Sequence, residues 1–232
     1  MSVKAVLFDK DGTLFHFGAT WESWASAVLV RLTEGDSARA REIGAAIGFD
    51  TDAKQFSQDS IVIAGTPEEV VNVLVTFIDM PPEALERILN EEAANAPQAQ
   101  AVDLKECLGG LKARGIGLGV ATNDAEMPAR AHLSGAGVTD LFDFIAGYDS
   151  GFGGKPAPGQ CLAFAKQMGV APEDVVMVGD SLHDLHAGRA AGMRTVGVLT
   201  GLATEAELSQ HADIVLPDIG HLPNWLDQQA AV

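Results

Sequence analysis

Asp9 and Asp11 stand two residues apart at the end of a short apolar run, Val3-Lys4-Ala5-Val6-Leu7-Phe8, and Gly12 and Thr13 follow at once. Other apolar runs end in chemistry of the same kind. Ile116–Ala121 leads to Thr122-Asn123-Asp124, and Val175–Val178 leads to Gly179-Asp180-Ser181 with Asp184 just beyond. Phe144-Ile145-Ala146 feeds a glycine-rich stretch that ends in Lys155-Pro156. Acids gathered at one point repel one another unless a cation sits between them, and magnesium takes a few carboxylates together with water and phosphate oxygens. Asp9 and Asp180 are the natural ligands, with Asp184 close enough to touch the metal or one of its ligands. A carboxylate can also attack phosphorus, splitting one hydrolysis into two easier steps. The charge of a loose phosphoryl-transfer transition state lies on the phosphoryl oxygens, so the site needs positive charge and N–H donors. Lys155, the Thr122 hydroxyl and the backbone amides after Asp9 and Thr122 can supply them. Gly12, without a Cβ, allows the turn to approach a phosphate closely.

These groups need elements to hold them. In open α/β sheets the functional groups collect at the carboxyl ends of the strands. Short apolar strands are predicted at 3–8, 116–121, 144–146, 175–178, 195–199 and 214–216. Amphipathic helices between the later ones, at 126–136, 158–168 and 182–191, imply a parallel sheet covered on both faces. The stretch between the first strand and the second reads differently. Trp21, Trp24, Ala25, Val28, Leu29 and Leu32 fall at helical spacing, with Gly35 as a stop. A short helix follows near 38–47, Thr66 caps another, and Pro81-Pro82-Glu83 opens the next. The expected architecture is a doubly wound, Rossmann-like α/β core of residues 1–14 and 97–232, interrupted by an all-α cap over 15–96.

Composition sets limits on the partner. With 232 residues and 47% hydrophobic side chains the chain can bury a substantial core. A net charge of −17 argues against nucleic acid or an anionic membrane as partner, since both require a basic footprint. No apolar run is long enough to span a bilayer. Cys107 and Cys161 have neither metal-type nor redox-type spacing, so a reducing, cytoplasmic setting is expected. A phosphate ester is itself an anion. A site for one in so acidic a chain must bring its own local positive charge.

Phe8-Asp9-Lys10-Asp11-Gly12-Thr13-Leu14, Thr122-Asn123, Lys155-Pro156 and Gly179-Asp180-Ser181 with Asp184 resemble, in order, the sequence motifs of the haloacid dehalogenase superfamily. The helical stretch after the first motif resembles the cap of its phosphoglycolate-phosphatase-like branch. The resemblance implies Asp9 as nucleophile and Asp11 as general acid/base, with Thr122, Asn123 and Lys155 around the phosphoryl group. It implies Mg2+ on Asp9, Asp180 and the backbone carbonyl of Asp11. The true dehalogenases of the superfamily lack an acid at the position of Asp11. An acid there suits an ester, because it can protonate the leaving oxygen and then activate water. Many sequences of the branch carry Asp-Ser after the first motif, whereas Phe15-His16-Phe17 stands here. The identity of the substrate therefore does not transfer with the mechanism.

The expected activity is hydrolysis of a small phosphorylated metabolite, phosphoglycolate-like or a sugar phosphate. A phosphomutase of the β-phosphoglucomutase type would use the same aspartyl-phosphate and return the phosphoryl group to a sugar. A receiver-type phospho-acceptor domain is disfavoured by the order of its motifs and by the large insert. The glycine-rich approach to Lys155 is not a nucleotide-binding loop, because Asp149 and Pro156 occupy places that need Gly and Ser or Thr. His183 is expected at the rim of the site, as a substrate contact rather than a metal ligand.

Overall fold

The computed structural model describes residues 3–57 and 59–230; the first two and last two residues of the expected core, and residue 58 of the expected cap, lie outside that description. The chain begins with β1 (Ala5–Phe8) and then enters a helical insert. The insert comprises α1 (Phe17–Thr33), α2 (Ser37–Ala46), the two-residue strands β2 (Phe49–Asp50) and β3 (Gln55–Phe56), α3 (Ile61–Ala64), α4 (Pro67–Leu74) and α5 (Pro82–Asn95). Next come α6 (Leu104–Ala113), β4 (Gly117–Ala121), α7 (Glu126–Gly135), β5 (Phe144–Ala146), α8 (Gly159–Met168), β6 (Val175–Gly179) and α9 (Leu182–Ala190). The chain closes with β7 (Arg194–Val198), α10 (Glu205–Leu208), β8 (Ile214–Leu216) and α11 (Leu222–Ala230).

Six strands form one parallel sheet in the order β5-β4-β1-β6-β7-β8. The first strand is therefore central. The chain runs from it to one edge, crosses back, and runs to the other edge, which places a topological switch at the middle of the sheet. Phe8 pairs in register with Val120 on one side and Val178 on the other. That register brings Asp9, Thr122 and Asp180, each just beyond a strand, to one end of the sheet.

Both faces of the sheet are buried, as an apolar run without alternation requires. Val6, Phe8, Leu118, Val120, Val176 and Val178 pack on one side with α6 and α11 residues such as Leu108 and Trp225. Ala5, Leu7, Val175 and Met177 pack on the other with Phe164 of α8. Gly119 in β4 is small for a packing reason, since a Cβ there would lie 2.6 Å from the Phe164 ring.

The insert has its own apolar cluster, drawn from Phe17 through Ala93. Thr66 closes a capping box with Glu69 at the start of α4, and α1 ends with Glu34 in the left-handed region just before Gly35. The two chain crossings between sheet and insert lie side by side: His16 N donates to Ala99 O at 2.8 Å, and Ala101 N donates to Leu14 O at 2.9 Å. Sequence periodicity did not give the short β2–β3 pair, α6 or α11, and it left 61–63 open between strand and helix. Ser60 decides the last case by accepting from Val62 N and so capping a single helical turn.

Candidate active site

The sheet end carries a buried, mostly charged cluster. Asp9, Asp180 and Asp184 are all buried, and each offers an oxygen within 4.8 Å of those of the other two. Lys155, also buried, reaches into this group. Its ammonium donates to Asp9 Oδ1 at 2.5 Å, to Asp184 Oδ1 at 2.6 Å and to the Ala121 carbonyl at 2.8 Å. Its backbone is held independently: Lys155 N donates to Asn123 Oδ1 at 2.7 Å, and Asn123 Nδ2 donates to Lys155 O at 2.9 Å. Asn123 thus ties the loop of Lys155 to the end of β4, next to Thr122.

Asp184 sits in the first turn of α9, and both of its oxygens are engaged. Oδ1 accepts from Lys155, while Oδ2 accepts from Ser181 N at 3.0 Å and Ser181 Oγ at 2.7 Å. Ser181 in return caps the helix through Asp184 N. The helix cap is therefore Ser181, whereas Asp180 faces Asp9 and accepts from Thr13 Oγ1 at 3.5 Å. Two glycines make room for Asp180. A Cβ at Gly12 would lie 2.4 Å from its carboxyl, and one at Gly201 would lie 1.6 Å from Oδ2. Thr200 Oγ1 donates to Gly12 O at 2.6 Å, joining the loop after β7 to the first motif. Neither Thr200 nor Gly201 carries a signal in the sequence that would have assigned it here.

Burial sets the electrostatics. It pushes the Asp9 carboxyl up to about 7; the Lys155 ammonium opposes this, and Asp184 and Asp11 add to it. Burial also raises Asp180 well above the usual carboxylate range, with Asp9 and Asp184 contributing repulsion. Burial disfavours the charged form of Lys155, yet Asp184 and Asp9 outweigh it and hold the ammonium above its usual range. Carboxylates crowded in this way are short of positive charge. Three hard oxygen donors at one point suit a magnesium-like cation, so the residues present fit the expected metal.

Asp11 is placed differently from its neighbour. It is only partly buried, it lines the same cavity as Asp9, and it pairs with Lys10 Nζ at 2.7 Å. Lys10 is fully buried in spite of its charge and lies within 3.2 Å of Asp124 Oδ2. The ammonium also reaches Nδ1 of His132 at 2.9 Å, and the other ring nitrogen of His132 meets the Ala93 carbonyl of α5 at 2.6 Å. A carbonyl only accepts, so Nε2 carries the ring proton and Nδ1 is left to accept from Lys10. Sequence reasoning gave no role to Lys10, Asp124 or His132.

The insert roofs the cluster. The cavity beneath it is lined by Asp9, Asp11, Thr122, Lys155, Asp180, Asp184 and His183 from the core, and by insert residues from Phe17 to Ala93. His183 thus lies where its sequence position suggested. His186, one turn further on, turns instead to His211, with Nε2 and Nδ1 3.3 Å apart. The basic residues of the insert, Arg31, Arg39, Arg41, Lys54 and Arg87, are all exposed, and none lines the cavity.

A parallel sheet with a central first strand, acids at its carboxyl end and a helical insert after that strand define a class of hydrolase. The chain belongs to the haloacid dehalogenase-like hydrolases, whose family model matches residues 3–192. It is 33% identical over 232 residues to a phosphoglycolate phosphatase of Rhodospirillum rubrum, covering 96% of this chain and 90% of that one. A phosphoglycolate phosphatase of Pectobacterium atrosepticum is 29% identical over 95% of this chain and 94% of that protein. Among solved structures, a haloacid dehalogenase-type phosphatase from Thermococcus onnurineus superposes with a TM-score of 0.68 at 25% identity, covering 96% of this chain and 97% of that one.

Proposed function

We propose that this haloacid dehalogenase-like phosphatase hydrolyses a small phosphorylated metabolite in two steps through an aspartyl-phosphate on Asp9, with Mg2+ as its cofactor. The reading rests above all on Lys155, whose ammonium bridges Asp9 and Asp184 at 2.5 and 2.6 Å beside Asp180. Asp9 and Asp180, with the Asp11 backbone carbonyl, would hold the metal, which supplies charge neutralisation for the phosphoryl oxygens and for the crowded acids. Asp184 positions Lys155 through Oδ1 and stands close enough to touch the metal or one of its ligands.

An Asp9 oxygen attacks phosphorus as the bond from phosphorus to the alcohol oxygen breaks. Asp11, on the same cavity wall, delivers its proton to that oxygen. The alcohol leaves, and Asp11 then takes a proton from water as the water oxygen bonds to phosphorus. The bond from phosphorus to Asp9 breaks, and inorganic phosphate is released. The ammonium of Lys155, the Thr122 hydroxyl and the amides after Asp9 stabilise the phosphoryl charge throughout. Residues 15–96 act as the cap that excludes bulk water from the acyl-phosphate and restricts the site to small esters.

The test is phosphate release over a panel of metabolite esters with Mg2+, with Asp9→Asn alongside. We expect the variant to lose activity by about a thousandfold or more, and intact protein to show the mass of one phosphoryl group after a rapid acid quench. Activity retained by Asp9→Asn would exclude Asp9 as nucleophile. Turnover that requires a sugar bisphosphate and releases no phosphate would replace hydrolysis by a mutase reaction.

A further inference from the structure

The two walls of the cavity differ in kind. The core side is charged, whereas the insert side is built mainly from Phe17, Trp21, Trp24, Val62, Val70 and Leu89, with Thr66 and Asn90 among them. Trp21 stacks edge-on to Trp24 with ring centroids 5.3 Å apart, and Phe17 lies 6.2 Å from Trp21, so these rings form one continuous apolar surface. Among the described residues Lys155 is the lysine or arginine that lines the cavity, and its ammonium is already shared between Asp9 and Asp184. None of the insert's own cations lines the cavity, and three of them are engaged elsewhere. Arg31 pairs with Glu91 and Glu92, Arg41 pairs with Asp52, and Arg39 donates to the Phe77 carbonyl.

A second anionic group on the substrate would meet a wall that presents no cation to the cavity, inside a protein of net charge −17. Lys10, 5.6 Å from the Trp21 ring centroid, is paired with Asp11 and Asp124. Burying an unpaired carboxylate is among the most costly events in a protein interior, whereas an apolar group gains by leaving water. Thr66 and Asn90 interrupt the wall, and the Thr66 hydroxyl is already engaged by Glu69 of its own helix cap.

We propose that the alcohol portion of the substrate is uncharged and largely apolar, aromatic or branched aliphatic. Carboxylated esters such as phosphoglycolate are then rejected by the insert wall, whatever the relatives accept. This assignment rests on the proposed phosphatase chemistry at Asp9.

Benzyl phosphate and 2-phosphoglycolate separate the possibilities, because both are esters of primary alcohols and differ at the end that faces the insert. With Mg2+ present, kcat/KM for benzyl phosphate should exceed that for 2-phosphoglycolate by at least about tenfold. Asn90→Arg, which adds a cation at the wall on a half-buried residue, should narrow or invert that ratio. Tryptophan fluorescence gives a readout without turnover: benzylphosphonate should quench Trp21 and Trp24 at lower concentration than phosphonoacetate. A wild-type preference for 2-phosphoglycolate, or tighter binding of phosphonoacetate, overturns the assignment and leaves the role of Asp9 standing. Absence of phosphate release from both esters and from the wider panel overturns the phosphatase chemistry itself, and this assignment with it.

Discussion

The ammonium of Lys10 lies 2.9 Å from Nδ1 of His132, a residue 122 positions later in the chain. Because Nε2 of the same ring meets Ala93 O of α5, one hydrogen-bonded line runs from the first motif through α7 to the insert. Lys10 stands between Asp9 and Asp11 in sequence, yet its side chain turns away from the acids of the metal cluster and serves Asp11 and Asp124. Asp11 is thus held by a group that is in turn held by the roof of the site.

Lys10→Met should therefore reach beyond a local loss. Removing one partner of a buried ion pair leaves the other uncompensated, which costs about 3–5 kcal/mol. A urea titration should show a loss of that order, and kcat should fall further than KM rises because Asp11 loses its support. Replacing Asp124 by Asn in the Lys10→Met background should recover part of the stability, since it removes a stranded acid. Additive losses in that double-mutant cycle would show that the two residues are not coupled.

The same line makes stability depend on acid. Burial, with the nearby Lys10 ammonium, depresses the His132 imidazole from 6.5 to about 4. Between those values the unfolded chain binds the proton and the folded chain does not. The contribution is fully present above pH 6.5 and is lost as the pH falls through 4, amounting to at most ~3 kcal/mol. Asp124, raised by burial to about 6, titrates with the opposite sign. The difference between the wild type and His132→Phe isolates the histidine. In urea titrations the wild type should lead clearly at pH 7.5 and lose much of that lead by pH 4.5. A lead that does not change with pH would mean that His132 is not held neutral.

Metal should compete with protons for Asp9 and Asp180, both raised by burial. The gain in melting temperature from Mg2+ should accordingly be larger at pH 8 than at pH 6. Gly201→Ala tests the same acids sterically, because its Cβ would fall 1.6 Å from Asp180 Oδ2 and must push that carboxylate aside. We expect about a tenfold or greater rise in the Mg2+ concentration for half-maximal activity, with the far-ultraviolet circular dichroism unchanged. Unaltered Mg2+ dependence in that variant would place the metal away from Asp180.

The groups proposed for the chemistry were legible in the sequence because Asp9, Thr122 and Asp180 each follow directly on a strand and Lys155 closes the loop after β5. A buried parallel strand announces itself as an apolar run, and what it ends with lies at the carboxyl edge of the sheet. Asp9, Thr122, Lys155 and Asp180 could be named in this way. The helices of the insert were legible from their spacing and caps, Thr66 with Glu69 among them. The α6 and α11 helices and the β2–β3 pair were not, since short elements take their stability from what they pack against.

By itself the sequence determined the sheet, the insert and the acids, because strand ends and helix periods are local properties. Only the tertiary structure decided how those groups are supported and what they face. Lys10 meets Asp124 and His132 across more than a hundred residues, and Gly201 makes room for Asp180 from another loop. Whether the arginines of the insert turn toward the cavity or away from it depends on how α1 and α5 lie over the sheet. They are exposed and stay out of the cavity, and the surface they leave above Asp9 is mostly apolar.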